Sequence, residues 1–363
     1  MTRPPEFDLA VVGAGIVGLG HAWAAHRRGL RVVVVDRMDA IVGSTVRNFG
    51  HIGTHVHSGQ AGEYARRSHG IWLDLAERAG FWIRRHGTLV VARTAEELAV
   101  VEESGAGRML SSDETGRRAP VVGAVGAAHV DDDLQVDPRE AGPAIARHLA
   151  ECGVEFRWRT AAWGAESGIL HTSRGEIRAE NIVIAVNYDI DQLYPEVAER
   201  YGVQRCGLDM LLTDGVSLDV PVLTGSSLLR YSAFSHAPSA GALRARLARE
   251  QPEMLERDIN EMYTERPDGT LVVGDTHYRG STVTPFQDEG AFDTLRGLSR
   301  TLFGRDLTVR QRWQGVYASA PQDFLRTSPT DGVHIVAVTT GIGMTTGLGL
   351  AASVLDDLQG ALS

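Results

Sequence analysis

The sequence predicts an α/β fold: a doubly wound, largely parallel sheet in one domain, and a mixed-sheet α+β unit as a second domain. Three observations predict it. From Phe7 to Arg37 an apolar run enters a glycine-rich turn, a helical stretch and a second apolar run, the order strand, helix, strand. Between Asp331 and Leu362 an apolar strand pattern again meets a glycine-rich turn and a helix. Between them, Val203–Arg310 shows short strand patterns around a charged helical segment.

In chain order, Leu9, Ala10, Val11 and Val12 form the first strand, Ile16 to Arg28 the first helix, and Val32 to Val35 the second strand. A helical crossover of this length brings the second strand back parallel to the first, with the right-handed sense such units favour. Glu63 to Gly80 has helical spacing, with Ile71, Leu75 and Ala79 inside, and Thr88 to Ala92 reads as a strand. Asp137-Pro138 opens a helix that runs to about Cys152, since proline suits a first helical turn. Val154 to Arg159, Ile169 to Thr172 and Asn181 to Val186 read as strands, the last returning to the first sheet. Leu228 to Phe234 and Thr270 to Gly274 read as strands around a charged helix from about Ala242 to Glu265. Val333 to Val338 is the last strand. These elements divide the chain into residues 1–82, 135–202 and 311–363 for the first domain, and 83–134 and 203–310 for the second.

The chain has 363 residues, 43% of them hydrophobic and 23% charged, with 41 glycines and a formal net charge of −10. That charge opposes non-specific binding to nucleic acid or anionic membrane. Cys152 and Cys206 form no metal-ligand spacing and no disulfide framework. Met1 to Asp8 is short and polar, unlike a secretory signal, and no stretch reaches the roughly 18 apolar residues of a membrane-spanning helix. A cytoplasmic location is expected; the oligomeric state is not legible.

Gly13-Ala14-Gly15-Ile16-Val17-Gly18 follows a strand and opens a helix, and Asp36 ends the next strand. Gly13 permits the tight turn, Gly15 lets the backbone approach a pyrophosphate, and Gly18 lets helix and strand pack closely. The helix N-terminus presents N–H groups to phosphate, and Asp36 is placed to accept from a ribose hydroxyl. This context makes the first domain Rossmann-like and dinucleotide-binding. The choice of FAD over a nicotinamide dinucleotide rests on the C-terminal turn. There Gly341, Gly343, Met344, Thr345 and Thr346 start a helix whose amides suit the negative end of a reduced isoalloxazine. Ser44, Thr45, Asn48, Gly50, His51 and Ile52 form a polar, glycine-bearing stretch suited to a ribityl chain, and Arg37 and Ala185 complete the candidate FAD contacts.

These marks, together with Asp137-Pro138, Arg174-Gly175-Glu176 leading to I-V-I-A-V-N at 182–187, and Arg312-Trp313-Gln314-Gly315, resemble the D-amino-acid-oxidase-like flavoproteins over nearly the whole chain. That superfamily includes glycine oxidase, sarcosine oxidase and D-amino-acid dehydrogenases. The resemblance implies a discontinuous FAD domain and a substrate domain with a mixed sheet over the flavin. N-F-G-H-I at 48–52 with Ser58-Gly59-Gln60 is similar to a branch linked to aminophosphonate breakdown. Relatives that attach flavin covalently use a late cysteine or an early-loop histidine. Cys206 is far along the chain from the C-terminal turn, so FAD is expected to be non-covalent. Many members also have proline after the Asp-Gly pair, where this chain has Val333.

The expected reaction is FAD-dependent oxidation of a small amine to an imine that hydrolyses to an aldehyde or keto product. The leading candidate substrate is 2-aminoethylphosphonate or its N-methyl form, with O2 or a quinone as electron acceptor. The alternative is a D-amino acid or glycine/sarcosine oxidase or dehydrogenase. Such chemistry needs positioning more than acid–base machinery. Arg230 and Arg279, each beside a tyrosine (Tyr231 and Tyr278), are the candidate anion anchors, because a planar guanidinium matches carboxylate or phosphonate oxygens. His51 is placed by the flavin ring, and Tyr317 and Trp313 at the wall of the substrate cavity. His51, His55 and His57 lack the carboxylate and spacing of a metal site, so no metal is expected. Gly274-Asp275-Thr276-His277 resembles the second motif of flavin hydroxylases and leaves an FAD-dependent monooxygenase as a second alternative, as is a flavin- or NAD-binding protein without turnover.

Overall fold

The computed structural model describes residues 5–360, with side chains through residue 358. The first four residues of the polar stretch Met1 to Asp8, and residues 361–363 at the end of the C-terminal block, lie outside the described residues. The fold is α/β. Phe7–Val12 is a central strand, with the four valines of Val32–Val35 parallel beside it, Leu9 opposite Val32 and Val12 opposite Val35. On its other side Val12 faces Ile184 of Gly175–Ile184, and Ile184 faces Ile335 of Val333–Thr340, again in parallel. These strands are apolar on both faces because both faces are covered. Leu9 and Val11 pack with Leu19, Trp23 and Leu348, whereas Ala10 and Val12 pack with Ile182, Leu325 and Ile335.

Helices Ile16–His26 and Gly343–Gly360 cover the first of these faces, together with Gly59–Ala79. They approach closely because their contact positions are small. A Cβ on Gly20 would stand 3.0 Å from the Ala351 Cβ, and one on Gly349 would stand 2.2 Å from the Tyr64 carbonyl oxygen.

The 22-residue strand Val309–Thr330 joins this parallel sheet to an antiparallel one. Its first part pairs with Gln204–Asp214, Gln204 opposite Ser319 and Leu211 opposite Arg312, and its last part pairs with Val333–Thr340, Phe324 opposite Val338. Beyond Gln204–Asp214 the same sheet continues through Thr270–Gly274, Met262–Glu265, Val222–Leu223 and Thr88–Ala92. The helix Glu289–Phe303 packs on it through Phe292, Leu295 and Leu302.

Two expected elements differ. Leu228 to Phe234 is not a strand: Gly225–Leu229 is a 3-10 turn and Ser232–Ser235 a single helical turn. The Ser226 and Ser227 hydroxyls donate to the Ile259 and Glu261 carbonyls, and Gly225 adopts φ +55°, so local polar groups bind the backbone in place of a ladder. Nor does one helix run from Ala242 to Glu265. Ala240–Glu250 ends before Pro252, where Gln251 leaves the helical conformation that a following proline disfavours, and Met262–Glu265 is a strand. Among the described residues no helix is long and apolar enough to cross a membrane.

Candidate active site

A cavity of about 1190 Å³ runs from the first glycine turn, past the 43–51 loop and the start of the C-terminal helix, to the antiparallel sheet. That exceeds the roughly 300–1,000 Å³ of a pocket for one drug-sized molecule, and leaves room for a dinucleotide and a small partner end to end.

At the first end, backbone geometry decides everything. Gly13 has φ +102°, and a Cβ there would lie 2.5 Å from the Ala185 carbonyl oxygen; one on Gly18 would lie 1.9 Å from the Gly13 carbonyl oxygen. Gly18 therefore packs and does not line the cavity, whereas Gly13, Gly15, Ile16, Val17 and Ala185 do. A Cβ on Gly15 would meet only the Thr45 hydroxyl, at 3.3 Å, and would otherwise fill the cradle itself. The helix Ile16–His26 has no side-chain cap from Gly15, and the Ile16 N–H donates to the Thr45 hydroxyl at 2.8 Å. This is a helix N-terminus open to phosphate beside a hydroxyl. Asp36 accepts from the Ala14 and Met38 amides at 2.8 and 2.9 Å, which fixes its carboxylate at the end of its strand on the cavity wall. Arg37 pairs with Asp189 at 2.7 Å.

In the middle, the Ser44 hydroxyl donates to the Val316 carbonyl and accepts from the Asn187 amide at 2.6 Å. Asn48 donates to the Ser44 and Thr45 carbonyls and accepts from the Gly50 N–H, so it braces this loop. Gly50 and Ile52 lie behind the wall: Gly50 has φ +70° and fits against the Val136 carbonyl, and Ile52 is fully buried. Gly341, Gly343, Met344 and Thr345 line the cavity at the C-terminal helix; Thr346 turns its hydroxyl back to the Ile342 carbonyl. The Tyr317 ring lies against Gly341, whose φ is +78°. His51 Nε2 stands 2.7 Å from the Thr88 hydroxyl, which donates to the buried Asp133. Burial opposes ionisation of Asp133, but hydrogen bonds from His51, His55 and Thr88 outweigh it and hold its carboxyl well below the ordinary range.

At the far end, Arg230 and Arg279 meet over one carboxylate. Arg230 Nη1 donates to Asp258 Oδ1 at 2.6 Å, and Arg279 Nη1 to Asp258 Oδ2 at 2.8 Å. All three line the cavity, and Asp258 is held at φ +45°. Tyr278 does not line it. Strand alternation puts Tyr278 on the opposite face from Arg279, over Gly207, where its hydroxyl accepts from Gln314. Trp313 likewise lies behind the wall, its indole N–H donating to the Arg47 carbonyl at 3.4 Å.

The sequence reading missed the partners at this end. Asp258 sits in the turn that replaces the expected long helix, and Asp275 and His277 belong to the stretch read as resembling a hydroxylase motif. His277 Nδ1 lies 2.8 Å from the Asp258 carbonyl, and burial keeps the ring's pKa well below the ordinary value. Asp275 is buried, and burial pushes its pKa up to about 7 against the pull of Arg230.

Residues 8–356 match the family described as FAD dependent oxidoreductase. A D-amino acid dehydrogenase of Helicobacter pylori is 24% identical over 243 residues, 49% of this chain and 59% of that protein. The chain thus aligns with less than two thirds of that relative's length. A component of the opine oxidase of Rhizobium meliloti is 23% identical over 60% of this chain and 66% of its own length. Among solved structures, glycine oxidase of Bacillus cereus superposes with a TM-score of 0.79 at 16% identity, covering 98% of this chain and 96% of that one. L-proline dehydrogenase of P. horikoshii does so with 0.78 at 17%, covering 98% and 94%. The fold is shared with both.

Proposed function

Because this chain belongs to the FAD-dependent oxidoreductase family, we propose that it oxidises a small zwitterionic amine to an imine that hydrolyses in water, with 2-aminoethylphosphonate or its N-methyl form as the leading substrate. FAD, bound non-covalently along the glycine-lined part of the cavity, supplies the two-electron acceptor. The residues of this chain hold the cofactor's phosphates at the Ile16 helix end, its ribose at Asp36, and the substrate's acid group at Arg230 and Arg279.

The observation that carries this reading is that two guanidiniums converge on a single carboxylate, Asp258, at the end of the cavity remote from the dinucleotide turn. Two guanidiniums sharing one carboxylate leave a net positive charge at this end, which suits an acid group, and two planar forks that match the oxygens of a phosphonate. A D-amino acid, glycine or sarcosine needs only one fork and is the alternative. The Gly274–His277 stretch, whose Asp275 and His277 line the same end of the cavity, supports amine positioning over a nucleotide role. Oxygen or a quinone reoxidises the cofactor, and the protein works in the cytoplasm.

Anaerobic mixing of the yellow protein with a panel of amines tests the reading. Bleaching of flavin absorbance is expected at the lowest concentration with 2-aminoethylphosphonate or its N-methyl form. Bleaching by D-alanine, glycine or sarcosine in preference moves the assignment to the alternative, and no bleaching by any amine refutes amine oxidation.

A further inference from the structure

An ammonium group cannot give up a C–H bond to an electron acceptor, because its nitrogen has no lone pair to form the C=N bond. A pocket that binds a zwitterion must therefore also receive a proton. Near Arg230 and Arg279 an ammonium needs a carboxylate partner as well, and Asp258 is already clamped by both arginines. Asp189 is taken by Arg37, and Asp36 by two backbone amides.

Asp275 is different. It lines the same end of the cavity, is 4% exposed, and its Oδ1 has no hydrogen-bond partner. Its backbone is held on both sides by Asn260, which fixes the point from which the side chain projects. Its neighbour Thr276 is fixed through the Asp209 carboxylate at 2.8 Å. Behind it, His277 Nδ1 faces a carbonyl, which only accepts, so Nδ1 carries the proton and the neutral ring turns a bare Nε2 toward Asp275 Oδ2, 3.6 Å away.

We propose that the Asp275 carboxylate seats the substrate's ammonium group and takes the proton that its nitrogen must lose, the bare Nε2 of His277 facing the O–H that this creates. The inference rests on the amine-oxidation reading and deepens it. In the step, an N–H bond of the ammonium breaks and an O–H bond forms on Asp275. The electron pair stays on nitrogen and becomes the second bond of C=N as the C–H pair leaves to the family's cofactor. Charged and titratable groups around Asp275 are Arg230, Asp258, His277, Tyr231 and Tyr317. Of these, His277 is kept neutral, and burial pushes Tyr231 up to about 12 and Tyr317 well above its ordinary value, so neither tyrosine ionises near neutrality. Arg230 and Asp258 stay paired.

The test uses the flavin-loaded protein, with Asp275→Asn and Asp275→Glu variants. Two readings are taken: flavin reduction by 2-aminoethylphosphonate, and the Kd of ethylphosphonate, which has the acid group but no nitrogen, from the shift of flavin absorbance. D-alanine and propionate form a second pair. In Asp275→Asn, kcat/KM for the amine is expected to fall at least roughly thirtyfold, as for a broken buried charge pair, while Kd for the nitrogen-free acid stays within about threefold. Asp275→Glu should recover part of the loss, and the wild-type rise of the reduction rate with pH through about 7 should flatten in Asp275→Asn. Equal loss for amine and nitrogen-free acid, or no loss, overturns the proposal. If Asp275→Asn does not fold, the glutamate variant and the wild-type pH profile decide it, a flat wild-type profile counting against. Wild-type protein that binds ethylphosphonate but is reduced by no amine removes the amine reading, and this proposal with it. Reduction of wild type and Asp275→Asn alike removes this proposal alone.

Discussion

At the first end of the cavity the wall comes from one turn, where Gly13, Gly15, Ile16 and Val17 line it and Gly18 packs behind it against the Gly13 carbonyl. At the far end it comes from Arg230, Asp258, Asp275 and Arg279, and is built of charged side chains. The first end is determined by how closely main chains approach, and a single methyl group is too much. The second is determined by charge balance, and its shape tolerates substitution better than its electrostatics do. The two ends should therefore fail in different ways.

The broadest effect, on folding and cofactor retention together, is expected from Gly18→Ala. Its Cβ would lie 1.9 Å from the Gly13 carbonyl oxygen, an overpacking that costs at least about 1–3 kcal/mol and displaces the turn itself. Thermal melting should drop and flavin content should fall together. A variant that melts like wild type and stays yellow would break the comparison at the first end.

Next come Arg230→Ala and Arg279→Ala. Each leaves Asp258 with one partner and the substrate's anion with one fork, and affinity for the amine should fall by roughly 2–5 kcal/mol, with flavin content unchanged. Lysine at either position should rescue only in part, since it restores charge without the planar fork. The half-saturating amine concentration for flavin reduction measures both. If neither alanine variant raises it, the anion sits elsewhere, with Arg47, which lines the middle of the cavity, the next to test.

Asp36→Ala should have the smallest effect, weakening FAD retention by about 1.5–3 kcal/mol, the range for a hydrogen bond to a charged group. Flavin released on dilution or dialysis reads it. Here the variant loses an acceptor and no steric fit, so it separates charge from close approach within the first end itself.

The same contrast explains what was legible in the sequence. A turn of glycines between a strand and a helix states its own geometry, because each glycine is required by a neighbour a few residues away; Gly13 and Gly18 meet one another. The parallel strands announced themselves by unbroken apolar runs such as Val32–Val35. Arg230 and Arg279 were found by residue type, but the carboxylate that joins them was not. Asp258 follows Pro252, which cuts a charged stretch that otherwise reads as one helix, and the sharing depends on folding that no local pattern encodes. Tyr278 was misplaced for a simpler reason. Period-two alternation sends it and Arg279 to opposite faces, and sequence alone does not say which face is the cavity. The Leu228 to Phe234 stretch reads as a strand by composition, and is turned by the serine hydroxyls at 226 and 227.

The strand Val309–Thr330 gives the molecule a timetable as well as a seam. It is the antiparallel neighbour of Gln204–Asp214 on one side and of Val333–Thr340 on the other. It therefore leaves the ribosome only after nearly all of both sheets has been made. Until then Gln204–Asp214 lacks its neighbour along an edge bearing Leu208, Leu211 and Leu212, and Gly175–Ile184 lacks Val333–Thr340. Gly175–Ile184 gains that neighbour only by closing a loop that contains both Gln204–Asp214 and Val309–Thr330. The same late stretch supplies Gly315, Val316 and Tyr317 to the cavity wall, so the cavity is completed only when this backbone has been made.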